Sequence, residues 1–564
     1  MSKTISMKAF VPWCHVADTP PGTHEEFRVL LGKWRPSAVL IAIAQLSVTF
    51  GYGPENETTA SKEAQDKWIQ FLFKPKYVPL VQKYAKAGRI IFFQGQLRYL
   101  ASEVIRQMPL PSEELPPPEN DDLGELLFRA GELLYQKFPK LEDKYDQMAN
   151  NVARFLPIYE IDSPIDGMVQ FLRFYIMLTV SIPRMPEHLR TFDVHVLFEK
   201  AMGFPLQTYC EFLVTFAMHA LQERSKDQTN QIADCGIRLE YFKHCEIKAE
   251  LIEQMFKTVS FSLDALKPPK EVLGYADFEA LRDEPYLLDK GNIYCLDYEF
   301  ALAKGESGAL WRVLQSLGSN KEKELYLSFW GNVFEDHVAW IFETYASPKH
   351  NVVYQSPKYL DDPSKEICDA IIICGNTAIL IETKLATCKA SIRYKGDYKT
   401  MRAFLEERFV TGGKNPKGVA QLLNVIENLT TAAPETLPPW LAGIRKFIPL
   451  IITKDEIGSS WGVNAYLNEH FNDQIDRKKH KVYTITPLVC MCASTLERSI
   501  FWMRKMSYAA LLENRIKAGD HLELPVESQS KYVHKGPTRG VLTHLDVLTK
   551  LTDETVKDFG IYDP

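Results

Sequence analysis

The chain has 564 residues, of which 46% are hydrophobic and 24% charged, and its formal net charge is −6. That is the makeup of a globular protein with length for several cores, and it excludes a chain drawn to polyanions by its overall charge. Attraction for nucleic acid, if there is any, has to be local.

Ten cysteines follow no even spacing and no secretory signal stands ahead of them, so reduced thiols in a cytoplasmic protein are expected. The longest apolar runs, Ala38 to Phe50 and Met168 to Ile182, fall short of the roughly 20 residues of a membrane span. They read as buried elements, and no membrane partner is expected.

Residues 1–110 read as a helical N-terminal region, with helices from Ala38 to Phe50, from Ser61 to Pro75 and across Gly88–Met108. Residues 111–121 form a Pro-rich acidic linker, which suits neither a helix nor a ladder. Residues 122–281 resume helical spacing, with Leu126, Leu127, Ala130, Leu133 and Leu134 on one face and further helices over Met168–Ile182 and Gln207–Leu221. From residue 282 to 515 the pattern becomes mixed. A hairpin turns at Asp289–Asn292, helices cover Phe329–Tyr345, Lys399–Phe409 and Gly418–Leu429, and strands cover Phe447–Thr453 and Tyr483–Cys492. Cys490-Met491-Cys492 reads as core of that last strand. Residues 516–564 form a polar tail.

The most informative stretch is Ile367–Ala386, ICDAIIICGNTAILIETKLA. Gly375-Asn376 separates two apolar runs and suits a two-residue turn, with Gly at the positive-φ position. Asp369 then lies opposite Glu382, with Cβ atoms roughly 4.5–5.5 Å apart, and Lys384 falls on the same face. A longer turn would displace Asp369 and bring in Asp361 or Asp362. Both strands are otherwise apolar on both faces, as in a covered sheet. Two carboxylates opposed near a core repel, and a divalent cation with oxygen ligands resolves the conflict. The plain alternative is an ion pair of Lys384 with one of them.

Asp369 followed by Glu382-Thr383-Lys384 resembles the acid and E-x-K elements of the PD-(D/E)XK nuclease superfamily. Gly331-Asn332-Val333-Phe334-Glu335-Asp336-His337-Val338 is similar to the Glu-bearing helix that precedes the core in many members, and Gln421 opens a helix where many carry a Gln. Position 425 is Val, which departs from the Q-x-x-x-Y of RecB-like members. The resemblance covers about residues 285–510. It implies a restriction-endonuclease-like α/β core, with a central mixed sheet flanked by helices, behind a large α-helical N-terminal region. It further implies Mg2+ or Mn2+ held by Asp369, Glu382, the Thr383 carbonyl and Glu335, with Lys384 and Gln421 completing the catalytic set.

Between Lys384 and Lys417 there are nine basic residues against three acidic ones. Lys389, Arg393, Lys395, Lys399, Arg402, Lys414 and Lys417 are therefore expected to meet phosphates. A second basic cluster, Arg477-Lys478-Lys479-His480-Lys481, reads as a solvated loop able to touch the same backbone. The expected function is Mg-dependent cleavage of DNA, or of RNA, with a catalytically inactive nucleic-acid-binding or scaffold protein as the alternative. The helical region would dock a protein partner or self-associate, and by analogy the setting would be antiviral defence or restriction.

Overall fold

The computed structural model describes residues 11–50, 62–89, 91–107, 115–136, 167–225, 235–238, 241–242, 247–263, 277–385, 387–395, 397–411, 416–459 and 462–517. Most of the expected tail lies outside the described residues, as do Lys414 and the Gly412-Gly413 loop.

The architecture is mixed α and β, with a helical N-terminal region. Helix Pro36–Phe50 starts on a proline, whose missing N–H is harmless at that position, and it is buried on most of its surface, with Ile41, Gln45 and Thr49 forming a half-buried stripe. Helix Asn120–Gln136 buries Leu126, Leu127, Ala130, Leu133 and Leu134, the face that their spacing marks. It begins within the expected linker, because Asp121 and Asp122 suit the positive end of a helix dipole. The expected helix Met168–Ile182 is instead Gly167–Ile176, followed by a π turn over Met177–Ser181. Pro183 lies just beyond and has no N–H to carry the regular ladder on. No single helix among the described residues is long and apolar enough to cross a membrane.

A first sheet has the order β1-β4-β3-β2, made of β1 (Ile237–Arg238), β2 (Ser260–Phe261), β3 (Tyr286–Asp289) and β4 (Asn292–Cys295). The hairpin expected around Asp289–Asn292 is present and turns on Lys290 and Gly291, both at positive φ. Its outer partners are residues 237–238 and 260–261, so this sheet straddles the sequence boundary at 282.

The second sheet is built from β5 (Val352–Gln355), β6 (Ala370–Cys374), β7 (Thr377–Lys384), β8 (Lys446–Thr453), β9 (Thr484–Ile485) and β10 (Val489–Cys492). Its order is β10-β8-β7-β6-β5, with β9 also on β8. Strands β5, β6 and β7 are antiparallel, whereas β7, β8 and β10 are parallel. The strand expected over Tyr483–Cys492 is split, because Pro487 cannot donate to a ladder. The short edge strand β5 has no clear apolar alternation, and its Tyr354 stacks on Trp440.

Register follows the two-residue turn: Cys374 faces Thr377, Ala370 faces Ile381, and Gly375 has φ 64. The two faces of the hairpin enter two different cores. Ile371, Ala378 and Leu380 pack with Met401, Leu405, Leu422 and Ile426. Ala370, Ile372, Ile379 and Ile381 instead join the core that holds Leu40, Phe128, Phe171 and Trp330. Helix Asn320–Tyr345 and the later helices Ala493–Arg498 and Tyr508–Lys517 cover this face, and through them it joins the core of the N-terminal helices.

A buried polar hub ties these layers together. Arg173 is 1% exposed and donates to Glu497 from Nε at 2.8 Å and Nη2 at 2.9 Å, while Nη2 also reaches Ser494 Oγ. His337 Nε2 lies 3.2 Å from the same carboxylate. Burial pushes Glu497 up, but Arg173 and His337 outweigh it and bring its pKa down to about 2. Glu497→Ala should leave Arg173 buried without its counterion and lower stability in urea unfolding by about 3–5 kcal/mol. Arg173→Met combined with Glu497→Leu should recover most of that loss. A single-variant loss below about 1 kcal/mol would show a pair that behaves as if solvated.

Candidate active site

β6 begins at Ala370, one residue after Asp369, so the hydrogen-bond ladder stops just before the last residues of β7. The Thr383 amide then faces an edge with no strand, and the Asp369 carboxylate takes its place. It accepts from Thr383 N at 2.6 Å and from the Thr383 hydroxyl at 2.8 Å. On the other side, Lys454 N donates to the Lys384 carbonyl at 3.0 Å. Amide and carbonyl of one strand residue turn to the same edge, and successive residues alternate. The Thr383 carbonyl therefore faces the Asp369 side, as expected for a ligand. Asp361 and Asp362 are exposed and stay outside this arrangement.

Glu382 is 2% exposed, and its carboxylate accepts from Lys384 Nζ at 2.9 Å. The ion pair of the plain alternative thus exists, but it leaves Asp369 and Glu335 to be compensated. Glu335 arrives from helix Asn320–Tyr345, whose start is fixed by Ser319 and Glu322 as a capping box. His337 is two residues further on, roughly 200° around the helix, and turns to the Glu497 hub instead.

Charge is the distinctive property of this corner. Burial, then the Asp369 charge, raises Glu382 to about 7 despite Lys384. Burial, Asp369, Glu366 and Glu382 raise Glu335 to about 8, again against Lys384. Burial pulls Lys384 down, yet Glu382 and Asp369 outweigh it and leave the ammonium above its usual value. One cation faces an excess of carboxyl groups, and two of these hold protons near neutrality.

The donors suit a hard cation, since Asp369, Glu382, Glu335 and the Thr383 carbonyl all offer oxygen. Burial and mutual repulsion raise both Glu382 and Glu335, and a bound cation would relieve that repulsion. The carboxylate oxygens nevertheless do not converge in this conformation, because Thr383 holds Asp369 and Lys384 holds Glu382. Among the described residues, three ligand-capable atoms meet within 4.8 Å at Glu119, Asp121 and Asp122. That group marks the exposed start of helix Asn120–Gln136, where Asp122 accepts from Glu119 N and Asp121 faces Lys74.

Several expected contacts are engaged elsewhere. Gln421 Oε1 accepts from Gly418 N at 2.8 Å, so Gln421 closes the first turn of its own helix. Gly418 itself, at φ 50, passes against the Phe409 carbonyl, where a Cβ would lie 2.1 Å from the oxygen. Arg393 is 5% exposed and forks onto Asp455 at 2.7 and 2.9 Å, so it is a structural cation rather than a phosphate contact. Arg402 is exposed but bonded to Glu406 and to the Tyr398 hydroxyl. Lys389, Lys395 and Lys399 are exposed, and Lys417 is partly so. The Arg477–Lys481 cluster sits beside β9, which pairs with the first residues of β8. Because β8 rises about 3.3 Å per residue, the cluster is roughly 20 Å from the end that carries Lys384.

Sequence reasoning missed Glu366, which pairs with Lys358 at 3.0 Å and adds negative charge to the site. Its position three residues before Asp369 was the available signal. Comparison of the chain with protein-family models, with curated proteins and with solved structures gives no match.

The raised acids set a pH dependence. In the native state Glu382 and Glu335 bind protons that the unfolded chain releases near 4.5, so their contribution is complete below that value and is lost as pH rises through about 7 and 8. Thermal melts in chelator should therefore show stability falling from pH 5 to 8.5, and millimolar Mg2+ should flatten the slope. Equal slopes with and without Mg2+ would mean that no cation binds these carboxylates.

Proposed function

We propose that the chain is a metal-dependent phosphodiester hydrolase of the PD-(D/E)XK kind, acting on DNA. The observation that carries this reading is the gathering of Asp369, Glu382 and Glu335 about Lys384 at the end of β7, where burial and mutual repulsion raise Glu382 and Glu335. A mixed sheet with helices on both faces supports it at the level of fold. A bound Mg2+ would supply Lewis acidity at the scissile phosphate and a water of lowered pKa.

The chain's own groups have separable tasks. Asp369 and Glu382, with the Thr383 carbonyl, would hold the ion once their present partners yield. Lys384, kept charged by Glu382 and Asp369, would orient the attacking water and offset charge gathering on the phosphate oxygens. Glu335, poised near neutrality, would take up a proton or support the ion. Exposed Lys389, Lys395 and Lys399 follow β7 and would carry the strand through its phosphates. Antiviral defence or restriction remains the preferred setting, by analogy alone.

One observation favours the second reading, a catalytically inactive binding protein. Asp369 acts as a cap for the β7 edge and Glu382 as a partner for Lys384, which is sufficient reason for both to be there.

Cleavage assays on duplex DNA, single-stranded DNA and RNA with Mg2+ separate the two. Nicking of DNA should fall by at least about 100-fold in Lys384→Ala and in Glu382→Gln. Gln421→Ala should keep cleavage within a few-fold, since Gln421 caps its own helix. Full cleavage in both site variants would sink the nuclease reading. Salt-sensitive binding without cleavage in any condition would leave the inactive one.

A further inference from the structure

A cleft of about 1010 Å3 opens where β7 and β8 end, between the loops that follow them and the helical segments 279–284 and 303–315. Asp369, Glu382 and Glu335 do not line it, so it is a separate space on the other side of the strand ends. Its volume is that of a small-ligand site.

Seven cations line the cleft against six acids, and they differ in how they are paired. Lys454 and Arg393 are deep and matched one for one, Lys454 with Glu306 at 3.3 Å and Arg393 with Asp455 at 2.7 Å. Lys304 is different. It is 7% exposed, and its ion pair with Asp283 is 3.7 Å long, to a side chain that is itself 69% exposed. Among the described residues Lys304 Nζ has no hydrogen-bond partner, and its tip meets the open space of the cleft. Burial draws its pKa down, and Arg312 and Arg282 add to this against Asp283 and Glu284. Arg312 and Arg282 repel this ammonium, and an anion held among the three would relieve them.

Two more cations stand at the rim. Arg312 and Lys389 are exposed and make no ion pair among the described residues. Trp311, next to Arg312 and partly buried, lines the cleft as well. Cations for phosphate beside an aromatic platform are the means by which proteins hold an unpaired nucleotide. Asp283 and Glu284, close to Lys304, oppose a bare polyphosphate and match donors on the edge of a base.

We propose that this cleft binds an unpaired nucleotide, with its phosphates on Lys304, Arg312 and Lys389 and its base against Trp311. The nucleotide is either free or the 5′-phosphorylated end of a single strand, and both present the same chemistry. The site stands whether or not the residues at the end of β7 cut phosphodiesters. Its floor is tied to them all the same, because Lys454 donates its backbone N–H to the Lys384 carbonyl.

Titration calorimetry on the full chain tests this, with ATP, GTP, 5′-phosphorylated trithymidylate and tripolyphosphate as probes. At least one nucleotide probe should bind saturably and more tightly than tripolyphosphate. Arg312→Ala, an exposed change that spares the fold, should weaken it about tenfold, and the volume-conserving Lys304→Met at least as much. Glu382→Gln should bind as the parent does, even if the nuclease reading fails. Preference for ATP or GTP would make the cleft an effector site, and preference for the trinucleotide a strand-end site; both support the proposal. No saturable heat with any probe would overturn it, as would tripolyphosphate binding as tightly as the nucleotides. So would binding indifferent to Arg312→Ala, or binding lost in Glu382→Gln.

Discussion

Strand β7 is paired on both sides for most of its length and on one side only at its end. That single inequality places everything else at the candidate site. Because β6 starts at Ala370, two residues short of the Cys368 that the register sets opposite Thr383, the Thr383 amide is left without a ladder partner and Asp369 turns in to satisfy it. Because β8 continues, Lys384 stays anchored through its carbonyl while its side chain remains beside Glu382. An acid, a buried acid and a lysine are brought together by where one strand begins, with no loop needed to carry them.

The hairpin was legible in the sequence because its signals are local and agree. Gly375-Asn376 sets the turn, the period of two sets the faces, and an opposed pair at Asp369 and Glu382 follows arithmetically. Glu335 was legible as a position on a helix but not as an acid of raised pKa, since that depends on burial and on charges from two other stretches, Glu366–Asp369 and Glu382–Lys384. Gln421 has a local use that the sequence also allowed, because a Gln three residues into a helix is what a first turn uses to bond back on itself. Arg393 was harder to read, since its carboxylate partner lies 62 residues away, past the end of β8. Local charge counts see residues close in sequence, whereas ion pairs form between residues close in space.

The boundary at residue 282 shows the same limit in the packing. A change of pattern from helical to mixed is real there, but the β3–β4 hairpin beyond it finds its partners in residues before it. The even-numbered residues of β6 belong to the same core as helices at the far end of the chain. The Arg173–Glu497–His337 hub adds a polar tie between layers that pattern reading assigned to different domains. Such long-range terms leave no periodicity in the sequence.

The shared core also bears on how this chain can vary. A self-contained catalytic cassette can be moved between hosts, because its buried faces are all its own. Here Ala370, Ile372, Ile379 and Ile381 belong to a core that continues through helix Asn320–Tyr345, where Trp330 stacks on Phe174, into the helices before residue 282. Transplanting the sheet would require transplanting its cover, and drift in either must be answered by the other. The helical region and the sheet are therefore expected to be inherited together, as one unit of change.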